Sequence, residues 1–178
     1  MDAMWDFGRA DLLEPESVGE PGKRTFRLRV RAGTDSASLW LEKEQLAALT
    51  LAMRQLLEQT GAAEPDDAPG AGGAFPDAAQ VDFKIGRLGI GYDESNRMVA
   101  IFAYTQEETS DDEDDDSSSP SFSCNVTRGQ CRVFADRAEQ VIAAGRPICV
   151  LCGGPIDENG HRCLRRNGHS KVQIQLDE

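Results

Sequence analysis

Three of the five cysteines and both histidines of this 178-residue chain fall in one short stretch, from Pro147 to His169. Cys149 and Cys152 form a Cys-x-x-Cys step that runs into Gly153, Gly154 and Pro155. This spacing brings two thiolates to one side of a tight turn, and the glycines can take the positive-φ conformations such a turn needs. Two sulfurs are half of a metal site. A closed structural zinc site takes four sulfur or nitrogen ligands in a tetrahedron, so Cys163 and one imidazole are expected to complete it. His161 lies two residues before Cys163, and on a regular strand both side chains would face the same way. Gly160 could supply the bend that aims them. His169 lies six residues after Cys163 and could reach back across Asn167-Gly168. The spacing leaves both histidines open.

A redox dithiol is the competing reading of Cys149 and Cys152. Thioredoxin-like pairs sit between a strand and the start of a helix. Here the pair follows an expected helix end and Pro147, then enters Gly-Gly-Pro, so structural zinc is the stronger expectation. Plain buried cysteines are the third reading.

Other chemistry is poorly supported. The only histidines belong to the metal motif, so a Ser-His or Cys-His nucleophile system would have to borrow from it. Acids are plentiful, but none form a recognisable pair, and no catalytic or cofactor-binding residue is assigned. The alternative is a zinc hydrolase, in which three protein ligands hold an open metal and Asp157 or Glu158 acts as base. Zinc deaminases carry a His-x-Glu before their cysteine pair; here His161 follows the pair and has no Glu two residues on.

Length allows one domain of ordinary size and a small appendage. No apolar run approaches the roughly 20 residues of a membrane span, and the chain opens with acids where a signal peptide would carry positive charge. A cytoplasmic protein is expected. Five cysteines, three of them committed to metal, argue against a disulfide framework.

The formal net charge is -12. Eight of the acids lie between Glu107 and Asp116, leaving about -4 for the remainder. The metal motif is locally basic, with Arg146, Arg162, Arg165, Arg166 and Lys171 around it. Basic residues without interleaved aromatics, on an acidic protein, argue against nucleic acid.

The elements that would position the tail are legible by period. Trp5 to Glu20 reads as an edge strand and a loop. Phe26, Leu28 and Val30 alternate with Arg27, Arg29 and Arg31, a half-buried antiparallel strand with a solvated outer face. Residues 32–36 read as a hairpin loop and Ser38 to Leu41 as the returning strand. Glu42-Lys43-Glu44-Gln45 opens a helix, with acids where the macrodipole favours them; Leu46, Leu49, Met53, Leu56 and Leu57 form its apolar stripe, and Gly61 ends it.

Residues 62–79 read as a flexible linker. Val81 to Ile85 is a strand, its continuation to Tyr92 interrupted by Gly86, Gly89 and Gly91, which mark bulges or close backbone approach. Met98 to Thr105 is a strongly apolar strand. Residues 107–120, acids then serines, cannot bury enough apolar surface to order themselves. Phe122, Cys124 and Val126 alternate inward, and Thr127 with Gln130 fits a capping box for a helix running to about Ala144.

A shift of 85 carries Leu46, Leu49, Met53, Leu56 and Leu57 onto Cys131, Phe134, Ala138, Val141 and Ile142. It also carries Leu39, Leu41 and Gln45 onto Cys124, Val126 and Gln130. The expected architecture is therefore α+β: two repeated units of antiparallel strands and a helix, spanning 1–146 and sharing one antiparallel sheet, with the helices on one face. A zinc-knuckle-like tail, 147–178, follows.

Several segments together resemble one family. Pro21-Gly22-Lys23-Arg24-Thr25-Phe26, Leu41-Glu42-Lys43-Glu44-Gln45, Phe83 through Asp93 and Ala144-Gly145-Arg146-Pro147 through Asn167-Gly168 are similar to DUF3090, a family of uncharacterised proteins found mainly in actinobacteria. The family's tail pattern, Cys-Pro-x-Cys, Gly-His-x-Cys and Asn-Gly-Tyr, is matched by Cys149, Cys152, His161 and Cys163. His169 stands where a Tyr is usual, so the resemblance tilts the fourth ligand toward His161, with His169 as the alternative. Val150 replaces the usual Pro. The resemblance implies no activity. It implies candidate partners by gene association alone: a histidine-phosphatase-like and a lipid-kinase-like protein. The expectation is a non-enzymatic zinc adaptor that meets a protein partner through its basic tail.

Overall fold

The computed structural model describes residues 3–20, 22–61, 74–106, 119–144, 149–153, 156, 160 and 163. Expectations for residues 62–73 of the linker, 107–118 of the acidic run, both histidines and the basic residues around the cysteines lie outside these. The chain is α+β, with seven strands and two helices among the described residues.

The first strands are β1 (Trp5–Arg9), β2 (Leu12–Val18), β3 (Thr25–Ala32) and β4 (Asp35–Leu41). Helix α1 (Lys43–Gln59) follows, then β5 (Val81–Asp93), β6 (Met98–Thr105), β7 (Phe122–Thr127) and helix α2 (Arg128–Ala144). The sheet order is β1-β7-β6-β5-β4-β3-β2.

Alternation sets the faces. In β3, Phe26, Leu28 and Val30 are buried while the arginines point outward. That outer face is not simply solvated. Glu14 and Glu16 of β2 lie across from it: Arg29 pairs with Glu14 at 2.7 Å and with Glu16 at 3.7 Å, and Arg27 pairs with Glu16. The guanidinium groups of Arg27 and Arg29 also stack over Trp40 and Phe75. The arginine row is thus occupied by carboxylates and rings.

The N-terminal loop reading is corrected. Residues 12–18 form β2, paired antiparallel along the length of β3. Pro15 is tolerated because β2 is an edge strand, where a missing N–H breaks no second ladder. The hairpin between β3 and β4 is also tighter than expected: Ala32 pairs with Asp35, leaving only Gly33 and Thr34 in the turn. The far end of the expected linker is likewise structured, since Ala74 O accepts from Arg31 and Phe75 lies against Arg29.

The sheet is mixed, which corrects the all-antiparallel expectation. β4 pairs with β5 in parallel, and β1 pairs with β7 in parallel. The β4-α1-β5 crossover explains the first pairing, because a helix between two strands returns the chain in the same direction. β5 continues through its glycines: its first residues pair with β4 and its remainder with β6, with a bulge between Ile85 and Arg87. Gly89 faces Phe102 across the ladder, and an added Cβ would sit 3.6 Å from that side chain.

The two ends of the sheet meet at one corner. Ala10 N–H donates to Asn125 O on β7 at 2.8 Å, and Asp11 N–H donates to Arg31 O on β3 at 2.8 Å. One run of chain therefore pairs with β7 through β1 and with β3 through β2.

The helices run antiparallel: Arg128, which opens α2, donates to Gly61 O just beyond α1. Near their crossing Arg54 of α1 pairs with Glu139 at 2.7 Å and Asp136 at 2.8 Å. The Arg54 hydrogen bond holds the Glu139 carboxyl below its ordinary value. Leu46, Leu49, Met53, Cys131, Phe134 and Ala138 are buried and join the inward residues of the sheet in one core. Each large side chain so buried contributes about 1.5–3 kcal/mol. Cys124 and Cys131 belong to this core and hold no ligand position.

Both helices start in the same way. Glu42 N–H donates to Gln45 Oε1 at 2.9 Å, and Thr127 N–H donates to Gln130 Oε1 at 2.8 Å. Each glutamine then donates from Nε2 to a carbonyl where a strand changes partner: Gln45 to Gly86 O at 3.1 Å, Gln130 to Ala10 O at 2.9 Å. The parallel pairings match too, each setting an aspartate opposite a buried serine, Asp6 with Ser123 and Asp82 with Ser38.

Candidate metal centre

Cys149 to Gly153 forms a tight turn. Gly153 N–H donates to Cys149 O at 2.8 Å, and Gly153 has φ +71°, in the left-handed region where glycine carries no steric penalty. The turn aims the N–H groups of Cys152 and Leu151 at the Cys149 sulfur. These backbone donors, Cys152 first, hold the Cys149 thiol below its ordinary value; contacts with the Cys152 and Cys163 sulfurs act in the same direction and burial acts against them. Donors aimed at a sulfur favour its thiolate, the form that binds metal.

Cys163 comes to this turn from fourteen residues away. Its sulfur lies 3.9 Å from that of Cys149, and the three sulfurs of Cys149, Cys152 and Cys163 all lie within 4.8 Å of one another. A tetrahedral zinc with Zn–S bonds of about 2.3 Å places its sulfurs about 3.8 Å apart. The Cys149 and Cys163 sulfurs already stand at about this spacing, and the cluster of three could hold a metal ion. Three thiolates are soft ligands that suit zinc, iron–sulfur or copper(I) and not magnesium or calcium. All five cysteines are thiols, with no disulfide between them.

Cys149 and Cys163 are buried, whereas Cys152 is exposed. Val150, at the tip of the turn, is 98 % exposed, and Leu151 beside it is 40 % exposed. The structure thus brings together the three cysteines singled out by spacing. His161 and His169 lie outside the described residues; Gly160, with φ +82°, supplies a left-handed bend next to His161. Asp157 and Glu158, the bases of the hydrolase alternative, also lie outside them.

A family described as a protein of unknown function (DUF3090) matches residues 5–163. The chain belongs to the DUF3090 family. That match runs from the first residue of β1 to the last of the three clustered cysteines, so for DUF3090 the sheet, both helices and the cysteine turn form one matched stretch. Neither the curated proteins nor the solved structures yielded a match. No described helix is long and apolar enough to cross a membrane.

Proposed function

We propose that this DUF3090 protein is a non-enzymatic zinc-binding adaptor that works in the cytoplasm and meets a protein partner through its tail. The observation that carries the reading is the cluster of three sulfurs within 4.8 Å of one another, in a turn whose Val150 and Leu151 are exposed. His161 is the fourth ligand, as the family's tail pattern implies. Four protein ligands leave no position for a reactive water, which is why the role is structural. The metal fixes the turn that carries the exposed Val150 and Leu151, and the sequence on either side of the cysteines supplies the basic residues Arg146, Arg162, Arg165, Arg166 and Lys171. The matching partner surface is an apolar socket rimmed by carboxylates.

The test is elemental analysis and X-ray absorption on protein purified without added metal. One zinc in a three-sulfur, one-nitrogen shell is expected. Cys149→Ser and Cys163→Ser should each lose it and loosen the tail, because metal-site energy is folding energy. Unchanged metal content in both variants refutes the site, and an oxygen ligand on the metal favours the hydrolase reading. Val150→Asp should keep the zinc and lose the partner in pull-downs, with the phosphatase-like and kinase-like neighbours as first candidates.

We further infer that residues 1–146 are two copies of one strand-and-helix unit followed by the tail 147–178. The paired roles of Gln45 and Gln130 and of Asp6 and Asp82 support this, as does the likeness of Trp5-Asp6-Phe7 to Val81-Asp82-Phe83. On this reading the bent run β1–β2 corresponds to the partner-switching strand β5.

A further inference from the structure

The five cysteines divide into two chemical classes. Cys124 and Cys131 are 1 % and 0 % exposed and sit in the main core, out of reach of solutes. The other three form the tail cluster, in which two sulfurs are covered and one is open to solvent. We propose that this cluster is a peroxide-responsive switch in which Cys152 is oxidised first, Cys149 resolves it, and the metal is released. The inference rests on the metal reading above and names the regulation of that same site.

The order follows from access and distance. A peroxide must reach a sulfur from solvent, and Cys152 is the exposed one of the three. Its sulfur attacks one oxygen of hydrogen peroxide; the O–O bond breaks, the other oxygen leaves as hydroxide, and Cys152 becomes a sulfenic acid. The Cys149 sulfur, within 4.8 Å of that of Cys152, then attacks it. The new S–S bond forms as the S–O bond breaks, and the departing hydroxide takes a proton to become water. Two thiols are oxidised to one disulfide, and one peroxide is reduced to two waters. The metal loses two of its three cysteine ligands in this step, and Cys163 with one imidazole cannot hold it. The turn that carries Val150 and Leu151 loses its metal tether in the same step.

The test uses the full chain as purified with its metal. Hydrogen peroxide is added in equimolar steps, released metal is read with a chromogenic chelator, and disulfides are mapped by peptide mass spectrometry. The expected result is one metal released per disulfide, the bridge joining Cys149 to Cys152, Cys124 and Cys131 unmodified, and reversal by dithiothreitol with added zinc. Cys152→Ser and Cys163→Ser each remove one ligand, but only Cys152→Ser should slow disulfide formation, by tenfold or more. Equal rates in the two variants would overturn the assignment of Cys152. Metal-loaded protein that keeps both its metal and its thiols would refute the switch and leave the metal site standing. Protein that carries no metal but still forms the bridge would refute the metal reading, and metal release with it, while the thiol chemistry stands.

Discussion

Gln130→Leu should destabilise the protein far more than Gln45→Leu, although the two glutamines make matching bonds. Gln130 is 6 % exposed; its Oε1 accepts from Thr127 N–H at 2.8 Å, and its Nε2 donates to Ala10 O at 2.9 Å. Leucine fills nearly the same space but leaves both partners unpaired. Ala10 is buried at the corner where the sheet ends meet, so no water replaces the lost donor. An orphaned buried polar group costs about 1–3 kcal/mol, and Thr127 is only half-buried. The sum for Gln130→Leu is therefore about 2–4 kcal/mol. Around Gln45, Glu42 is exposed and Gly86 half-buried, so water takes up much of the loss and the cost is about 0.5–1.5 kcal/mol. Urea unfolding followed by circular dichroism, with reductant and chelator constant, measures both. A Gln130→Leu cost below about 0.5 kcal/mol, or a larger cost for Gln45→Leu, would refute the account of the corner. Gln130→Glu adds a pH signature. Burial and the facing carbonyl should raise its folded pKa above the unfolded value of about 4.3. Its carboxyl O–H then bonds Ala10 O at low pH, and that stability is lost as pH rises through the folded pKa.

Phe134→Ala empties a fully buried site at the centre of α2 and should cost about 3–5 kcal/mol, whereas Leu51→Ala on the exposed face of α1 should stay within about 0.5 kcal/mol; thermal or urea melts compare them. Gly19 holds φ +109° between β2 and β3, and a Cβ there would sit 2.8 Å from Lys23 O. Gly19→Ala should cost about 1–3 kcal/mol, measured by the same melts. Asp93 is held below its ordinary carboxylate range first by the Asn96 side chain and then by the Asn96 backbone. Its contribution is present above the unfolded pKa and fades as pH falls through the folded one. Asn96→Ala should raise the Asp93 pKa in a carboxylate NMR titration, and an unmoved pKa would refute that cause.

Where local pattern governs, the residues announced their structure. The stripe from Leu46 to Leu57, the Thr127–Gln130 capping box and the alternation in β3 are all found as read. The cysteine cluster was legible for the same reason, since Cys-x-x-Cys needs only one turn to converge. What escaped was set by distant partners. Pro15 and the acids around it look like a loop until Glu14 and Glu16 meet Arg29 and Arg27 across a ladder. The matched two-residue spacings of those charges were the available signal. The β1–β7 pairing joins segments more than a hundred residues apart, and no local period encodes it. Phe75 reads as linker because its partner is the guanidinium of Arg29 on another strand.

The corner at Ala10 and Asp11 has a consequence for the order of events during synthesis. Among the described strands Trp5 to Arg9 leaves the ribosome first, yet its hydrogen-bonding partner is β7, made from residues 122–127. β2, β3, β4 and α1 can assemble while the second half is still being translated. β1 cannot, and an unpaired strand is a template for pairing with the wrong chain. Until residues 122–127 have been made, this nascent protein therefore carries an open edge. Contacts of such long sequence separation form slowly, which makes docking of β1 the step that chaperones and crowding would act upon.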